Sequence, residues 1–205
     1  MAVESNQTSD QERANSQPEQ QELKRKKRIR LAIYIAVFVV FQIIVITALS
    51  LTVLKVKSPK VRLGAVDVQN FTAAPATPSF DMTFATQIRI KNTNFGRYKF
   101  DASTIKFDYD GATVGQVSIP KGKAGMLSTK KIDVTVNLST KGLPSSKNSS
   151  LRTELSTGVL RLMSEATVKG KVELMMVMKK NKSAKMDCTL EVNVSTKKIQ
   201  YLKCE

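Results

Sequence analysis

Twenty-four consecutive residues, Leu31 to Leu54, carry no charged side chain, and they follow directly on the basic block Lys24-Arg25-Lys26-Lys27-Arg28-Ile29-Arg30. At the helical rise of about 1.5 Å per residue the run reaches roughly 36 Å, enough to cross a hydrocarbon layer of about 30 Å with some tilt. Its polar side chains, Tyr34, Gln42, Thr47, Ser50 and Thr52, are all neutral at pH 7. The run predicts a transmembrane helix over 31–54, and it fixes where the rest of the chain lives.

Six basic residues, Lys24, Arg25, Lys26, Lys27, Arg28 and Arg30, precede the run, whereas Lys55, Lys57, Lys60 and Arg62 are spread over the eight residues after it. The positive-inside rule therefore favours a cytosolic N-terminus and a type II, single-pass signal-anchor. A cleaved signal peptide is the competing reading, since Ala48-Leu49-Ser50 resembles a small-residue cleavage site. The apolar run is too long for one, and the 30 residues before it are too extended. The basic flank serves topology, and it also suits anionic cytoplasmic lipids at about 1 kcal/mol per basic residue. Residues Met1 to Leu23 are polar and rich in Gln and Ser. They have too little apolar surface to offset chain entropy, so a disordered cytosolic tail is expected there.

The remaining residues, Lys55 to Glu205, have the size of one domain and carry 26 Lys and Arg against 12 Asp and Glu, a net charge of +14. In the cytosol that charge would point to nucleic acid, but the predicted topology puts the domain across the membrane, and no nucleic-acid motif accompanies the charge. Acidic polysaccharide and anionic lipid headgroups are the partners that fit, alongside protein partners. Solubility alone is an alternative explanation of the excess Lys.

Five of the seven Asn in this domain open an Asn-x-Ser/Thr sequon: Asn70, Asn137, Asn148, Asn181 and Asn193. In Lys131 to Ser139 the residues Ile132, Val134, Val136 and Leu138 alternate with polar neighbours, which turns Asn137 outward; Leu190, Val192 and Val194 do the same for Asn193. Asn148 and Asn181 fall in polar segments expected to be turns. The two cysteines, Cys188 and Cys204, bracket a stretch with a strand, turn, strand pattern. In an oxidising compartment a disulfide is the default, and closing a loop of this length contributes on the order of 3 kcal/mol. In the cytosol the same pair would be two idle thiols. With no His in the chain, two cysteines do not complete a four-ligand zinc site from soft ligands, and neither a metal nor a cofactor is expected.

Period-two alternation dominates beyond residue 55. Phe80, Met82, Phe84, Ile88 and Ile90 share one parity and predict a strand over Ser79 to Lys91. Tyr98 and Phe100 share a parity opposite to that of Ile105, Phe107 and Tyr109, so a bulge or bend is expected near Asp101 to Ser103. Asp110-Gly111 marks a turn into Ala112 to Ile119, which Pro120 closes. Lys131 to Ser139 is the next strand. Leu151 to Leu155 is expected to be a short helix, with Ser150 as N-cap and Gly158 past its end. Val159 to Met163 and Thr167 to Lys180 are predicted strands, the second apolar on both faces around Met175, Met176, Val177 and Met178, and Asn181-Lys182-Ser183 is the turn into a final pair. Seven to nine short strands and one helix point to an antiparallel β-sandwich, with a barrel as the alternative.

Several of these residues carry a family resemblance: Lys91-Asn92-Thr93-Asn94-Phe95, then Tyr109-Asp110-Gly111-Ala112-Thr113-Val114-Gly115 leading to Ile119-Pro120, Gly158, Gly170, and the closing Cys188 and Cys204. In their order, and behind a single span, they resemble the late embryogenesis abundant proteins of subgroup two, the water-stress and hypersensitive-response domain. The short basic tail, span and outer domain are similar to the harpin-induced, non-race-specific disease-resistance-like membrane proteins of plants. Asn92, Asn94, Tyr109, Gly111, Gly115 and Pro120 match the family motif. The chain has Thr93 where the family usually has Pro, which implies a less rigid turn. The resemblance implies a fibronectin-III-like sandwich, a plant source, stress or defence association, and no catalytic residues.

Catalysis is not expected from the residues either. His, the commonest general base, is missing, and Asp108 with Asp110 is a solvated pair beside a turn. Ser156-Thr157-Gly158 has no partner that the sequence identifies. The leading expectation is a plasma-membrane protein, or an endomembrane one, whose outer sandwich is an interaction module at the membrane-wall face, in contact with acidic polysaccharide. The alternative is a lipid-contact module using the basic rim and the Met175 to Met178 stretch. Dehydration protection by a disordered hydrophilic chain fits a folded sandwich poorly.

Overall fold

The computed structural model describes residues 4–53, 55–174 and 178–205. Two compact units divide the chain at residue 52.

The first unit is one helix, α1 (Glu4–Val53). Its segment Lys24–Leu51 is long and apolar enough to cross a membrane, and Ile33, Phe38, Phe41, Ile44 and Leu51 are all exposed. An apolar stretch of this length and composition is what a membrane anchor or a signal sequence shows. Within it the Thr47 hydroxyl donates to the Ile43 carbonyl one turn back, at 2.7 Å, so that polar group is satisfied without solvent. The helix begins at Glu4, which corrects the expectation of a tail without regular structure over 1–23. Gln, Glu, Lys, Arg and Ala are good helix formers, and the apolar helix supplies the nucleus that a short peptide lacks. Glu22 and Lys26 add an ion pair one turn apart, at 3.7 Å.

The second unit holds strands β1 (Lys60–Ala74), β2 (Ser79–Lys91), β3 (Arg97–Phe100), β4 (Ser103–Tyr109), β5 (Ala112–Ile119), β6 (Gly122–Ala124), β7 (Thr129–Ser139), β8 (Val159–Leu174), β9 (Met178–Asn193) and β10 (Lys198–Cys204). A short helix, α2 (Asn148–Thr157), follows a single 3-10 turn between β7 and β8. One sheet has the order β1-β2-β7. In the other, β10, β9 and β8 lie side by side, and the far edge of β8 is covered by β3 and β4 placed end to end; β6 flanks β3 and β5 flanks β4. Every pairing is antiparallel. The two ladders remain separate, so the fold is a β-sandwich and not the barrel.

The inward parity of each strand builds one core. Phe84 and Ile88 from β2, Phe107 from β4, Leu160 and Val168 from β8, and Leu190 from β9 are fully buried, each contributing roughly 1.5–3 kcal/mol of apolar burial. Phe84 meets Phe107 across the sheets edge to face, with ring centroids 5.6 Å apart. The bend expected near Asp101 to Ser103 is the gap between β3 and β4. There the Asp101 N–H donates to the Lys169 carbonyl at 2.9 Å and the Ser103 hydroxyl to the Thr167 carbonyl at 2.8 Å, so the ladder is bridged where the strand breaks.

Three expectations about elements are corrected. Val159–Leu174 is one continuous strand: Ser164, Ala166 and Gly170 hold the inward parity with small side chains, and a Cβ on Gly170 would strike Tyr98 and the backbone of Lys99 and Phe100. Asn181-Lys182-Ser183 lies inside β9, opposite Lys171, Gly170 and Lys169. Strands β8 and β9 pair as far as Leu174 opposite Met178; Met175, Met176 and Val177 of the Met-rich stretch lie outside the described residues, as does Leu54 of the apolar run. Helix α2 starts at Asn148, not after Ser150, because the preceding 3-10 turn lets the Asn148 N–H bond the Ser145 carbonyl; Lys147 is its N-cap and offers no side-chain bond. Its end is as expected: Gly158 takes φ 86° and its N–H closes on the Glu154 carbonyl. Strands β1 and β6 have weak sequence signals. In β1 two register shifts, between Leu63 and Val66 and between Val68 and Asn70, break the alternation, and β6 is three residues long.

Candidate functional site

At one end of the sandwich, Asn92 and Asn94 are buried in the loop between β2 and β3. The Asn92 amide nitrogen donates to the carbonyls of Gly96 and Gly125, both at 2.7 Å, and its oxygen accepts from the Asn94 N–H at 3.1 Å and the Asn94 amide at 3.0 Å. Asn94 in turn grips the backbone of Lys57: its oxygen accepts from the Lys57 N–H at 2.6 Å and its nitrogen donates to the Lys57 carbonyl at 2.8 Å. Only an amide, with an acceptor and two donors on one planar group, closes such a network without leaving a buried group unpaired. The pair therefore ties two loops to the segment that leads into β1. Thr93 leaves this turn intact, because side chains rather than a proline ring fix it.

The outer face of the three-stranded sheet is basic beside that loop. Lys60 stands opposite Lys91, and Arg62 opposite Arg89, which stands opposite Lys131 on β7. All five are exposed, and among the described residues none makes an ion pair with a carboxylate. Lys60, Arg62, Arg89 and Lys91, with Leu63 and Thr129, line an open cleft of about 450 Å³. Like charges directly opposite on a ladder destabilise it, and an anion placed among them reverses the sign.

The other sheet's outer face is mixed. Glu165 stands opposite Asp187 and Arg161 opposite Glu191 on β8 and β9, with an Arg161 to Glu191 ion pair at 2.9 Å. Among the described residues no group of three or more His, Cys, Asp and Glu is placed to hold a metal ion. Asp108 accepts from the Thr113 hydroxyl at 2.6 Å, and Asp110 pairs with Lys147 at 2.7 Å, so the two carboxylates serve separate structural partners. Thr157 donates its hydroxyl to the Glu154 carbonyl within α2. These contacts cap and tie elements together; none joins a nucleophile to a base.

The motif positions divide by role. Asp110 and Gly111 take φ 46° and 79°, the two-residue turn that joins β4 to β5. A Cβ on Gly115 would press on the Asn137 carbonyl and Leu138 of β7, so Gly115 lets β5 cross that strand closely. Pro120 is exposed just past β5. Tyr109 is fully buried and its hydroxyl has no hydrogen-bond partner among the described residues; burial first, then Glu154 and Asp110, push its pKa up to about 12. Cys188 and Cys204 stand opposite each other on β9 and β10 and form a disulfide.

Of the sequon residues, Asn70, Asn137, Asn148 and Asn181 are exposed and Asn193 is half-buried. Asn137 accepts from the Thr83 hydroxyl at 2.9 Å, and Asn193 accepts from the Thr196 N–H at 2.8 Å. Asn148 opens α2 and Asn181 sits mid-strand, so neither occupies the turn expected for it. The basic flank Lys24, Arg25, Lys26, Lys27, Arg28 and Arg30 is exposed along α1. Sequence reasoning missed the cross-strand cations of β1, β2 and β7, because β1's broken parity hid the register that puts them face to face.

A model of the late embryogenesis abundant protein family, in its second subgroup, matches residues 87–190, from within β2 to near the end of β9. The chain belongs to this family. The match includes Asn92, Asn94, Tyr109, Gly111, Gly115 and Pro120. A late embryogenesis abundant protein of Arabidopsis thaliana is 29% identical over 171 residues, covering 80% of this chain and 78% of the relative. Among solved structures, a protein of Arabidopsis thaliana determined in solution has a TM-score of 0.42 at 12% identity, covering 67% of this chain and 83% of that one. A protein from Archaeoglobus fulgidus has a TM-score of 0.31 at 10% identity, over 60% of this chain and 94% of that one. The family is a stress-related one, and its late embryogenesis abundant domain here covers most of the sandwich.

Proposed function

We propose that this late embryogenesis abundant protein is a non-catalytic, single-pass membrane protein of plant stress or defence, with its N-terminus cytosolic and its sandwich outside. In this reading α1 anchors it, at the plasma membrane or an endomembrane, and the sandwich is an interaction module for acidic cell-wall polysaccharide. The observation that carries the reading is the set of facing cations Lys60, Arg62, Arg89, Lys91 and Lys131, without carboxylate partners among the described residues, on an exposed sheet. A polymer with a carboxylate on every sugar matches a row of cations at strand spacing, about 4.8 Å between neighbours, and such binding weakens as salt screens it.

The test is binding of the detergent-solubilised full chain to polygalacturonate at rising salt. Arg62→Gln with Arg89→Gln should weaken binding about tenfold at low salt, in keeping with the loss of about 1.4 kcal/mol of interaction. Binding that is equal in the double variant, or indifferent to salt, would sink the polysaccharide reading. The lipid-contact reading is favoured by a different observation, the distribution of exposed apolar side chains.

A further inference from the structure

Among the described residues of the sandwich the exposed large apolar side chains are Phe95, Met126, Leu127, Met163, Met178 and Tyr201. Four of them stand at one end. Phe95 lies in the loop after β2, and Met126 and Leu127 lie in the loop before β7. The two loops are bonded to each other: the Leu127 N–H donates to the Asn94 carbonyl at 3.1 Å, the Asn92 N–H to the Ser128 carbonyl at 2.8 Å, and the Asn92 amide to the Gly125 carbonyl at 2.7 Å. Met178 stands opposite Leu174, whose side chain closes over Gly96 of the first loop. Leu127 has φ 49°, a conformation that bulky residues avoid, and its hydrogen bond to Asn94 holds it there with the side chain in solvent.

Cations surround these tips. Lys57, Lys91, Arg97 and Lys130 are exposed at the same strand ends and loops, while the nearby Glu173 is already taken by Lys99 at 2.9 Å. Covalent continuity sets the remaining constraint. Lys57, pinned by Asn94, is four residues past Val53, the last described residue of α1, and four extended residues span at most about 14 Å. An apolar tip ringed by Lys and Arg, tethered that closely to a bilayer-length helix, has the composition of a surface that enters the headgroup layer.

We propose that this loop end seats in the phospholipid headgroup layer of the leaflet from which α1 emerges, with Phe95, Met126 and Leu127 at the acyl boundary and Lys57, Lys91, Arg97 and Lys130 at the phosphates. The proposal rests on the reading of α1 as an anchor. A bilayer is favoured over an acidic polymer because the polymer matches the cations but offers no apolar layer to the tips.

The native cysteines are bonded to each other, so an introduced cysteine is the one free thiol. Full-length Met126→Cys and Met163→Cys proteins are labelled with an environment-sensitive dye and reconstituted into phosphatidylcholine vesicles with and without phosphatidylserine. The label at 126 should shift to the blue and be quenched several-fold by spin-labelled lipid, most strongly with phosphatidylserine, while the label at 163 stays water-like. Adding Phe95→Ser and Leu127→Ser, exposed positions that leave the core untouched, should return the label at 126 to the emission seen at 163. Equal, water-like emission at both positions in both vesicle types overturns the proposal, as does shielding of position 126 by polygalacturonate and not by vesicles. Alkaline carbonate extraction separates the two failures: a chain stripped from the vesicles overturns the anchor, and one retained with a water-like label at 126 overturns the loop insertion alone.

Discussion

Tyr98 and Tyr109 are equally buried yet differ in what their hydroxyls do. The Tyr98 hydroxyl donates to the Val168 carbonyl at 2.9 Å, with the Lys182 carbonyl 3.3 Å away, and so ties β3 to β8 and β9. The Tyr109 hydroxyl has no such partner. Burial first, and then Asp101, pushes the Tyr98 pKa up to about 12, as burial does for Tyr109. Because the folded value lies above the unfolded one near 10, the folded state binds the proton more tightly. That stability is complete below pH 10 and is lost as pH rises through about 12. Urea unfolding at pH 7 should show Tyr98→Phe less stable by about 1 kcal/mol and Tyr109→Phe unchanged or more stable. The alkaline loss between pH 10 and 12 should shrink in both. Equal costs at pH 7 would mean that the Tyr109 hydroxyl has a partner. At this scale the sequence showed that both rings point inward; only the loop and strand positions showed which hydroxyl meets a carbonyl.

Among elements, β10 is the edge strand of the larger sheet, held by β9 on one side. Its ladder shifts register between Ile199 and Tyr201, and its last pair is Cys204 opposite Cys188. The disulfide therefore fastens the last pair of β10 to β9, at the point where an edge strand would otherwise fray. Removing it with Cys188→Ala and Cys204→Ala should cost about 3 kcal/mol, seen as an earlier urea midpoint that reductant also produces in the native protein. A midpoint that ignores reductant would mean that the edge is held by its packing alone. The pairing was legible because the strand, turn, strand pattern of 188–204 is regular. The β8–β9 hairpin was not, because Ser164, Glu165 and Gly170 look like loop residues until the neighbouring Tyr98, Lys99 and Phe100 show that position 170 has no room for a Cβ.

For the molecule as a whole, the direction of α1 decides whether the sequons and the disulfide have a use. If the sandwich lies outside the cytosol, a glycosidase should increase the mobility of the full-length protein from plant cells. Asn→Gln changes at Asn137, Asn148 and Asn193 should reduce that shift in steps, and both cysteines should resist alkylation in intact cells. No shift, together with alkylated cysteines, would return the sandwich to the cytosol and leave its charge without a wall partner.

What the sequence determined by itself was the material: an uncharged run of bilayer length, a +14 domain, alternating strands with one inward parity, and an ordered set of motif residues. Those properties are local, because charge, hydropathy and period two can be counted along one strand at a time. Register across strands is not local. The bulges of β1 and the register of β2 on β7 decided which cations face each other, and the bonds between two loops distant in sequence gathered Phe95, Met126 and Leu127 beside Lys57. The surfaces on which a partner could act are assembled from pairings between segments far apart in the chain, and only the tertiary structure sets those pairings.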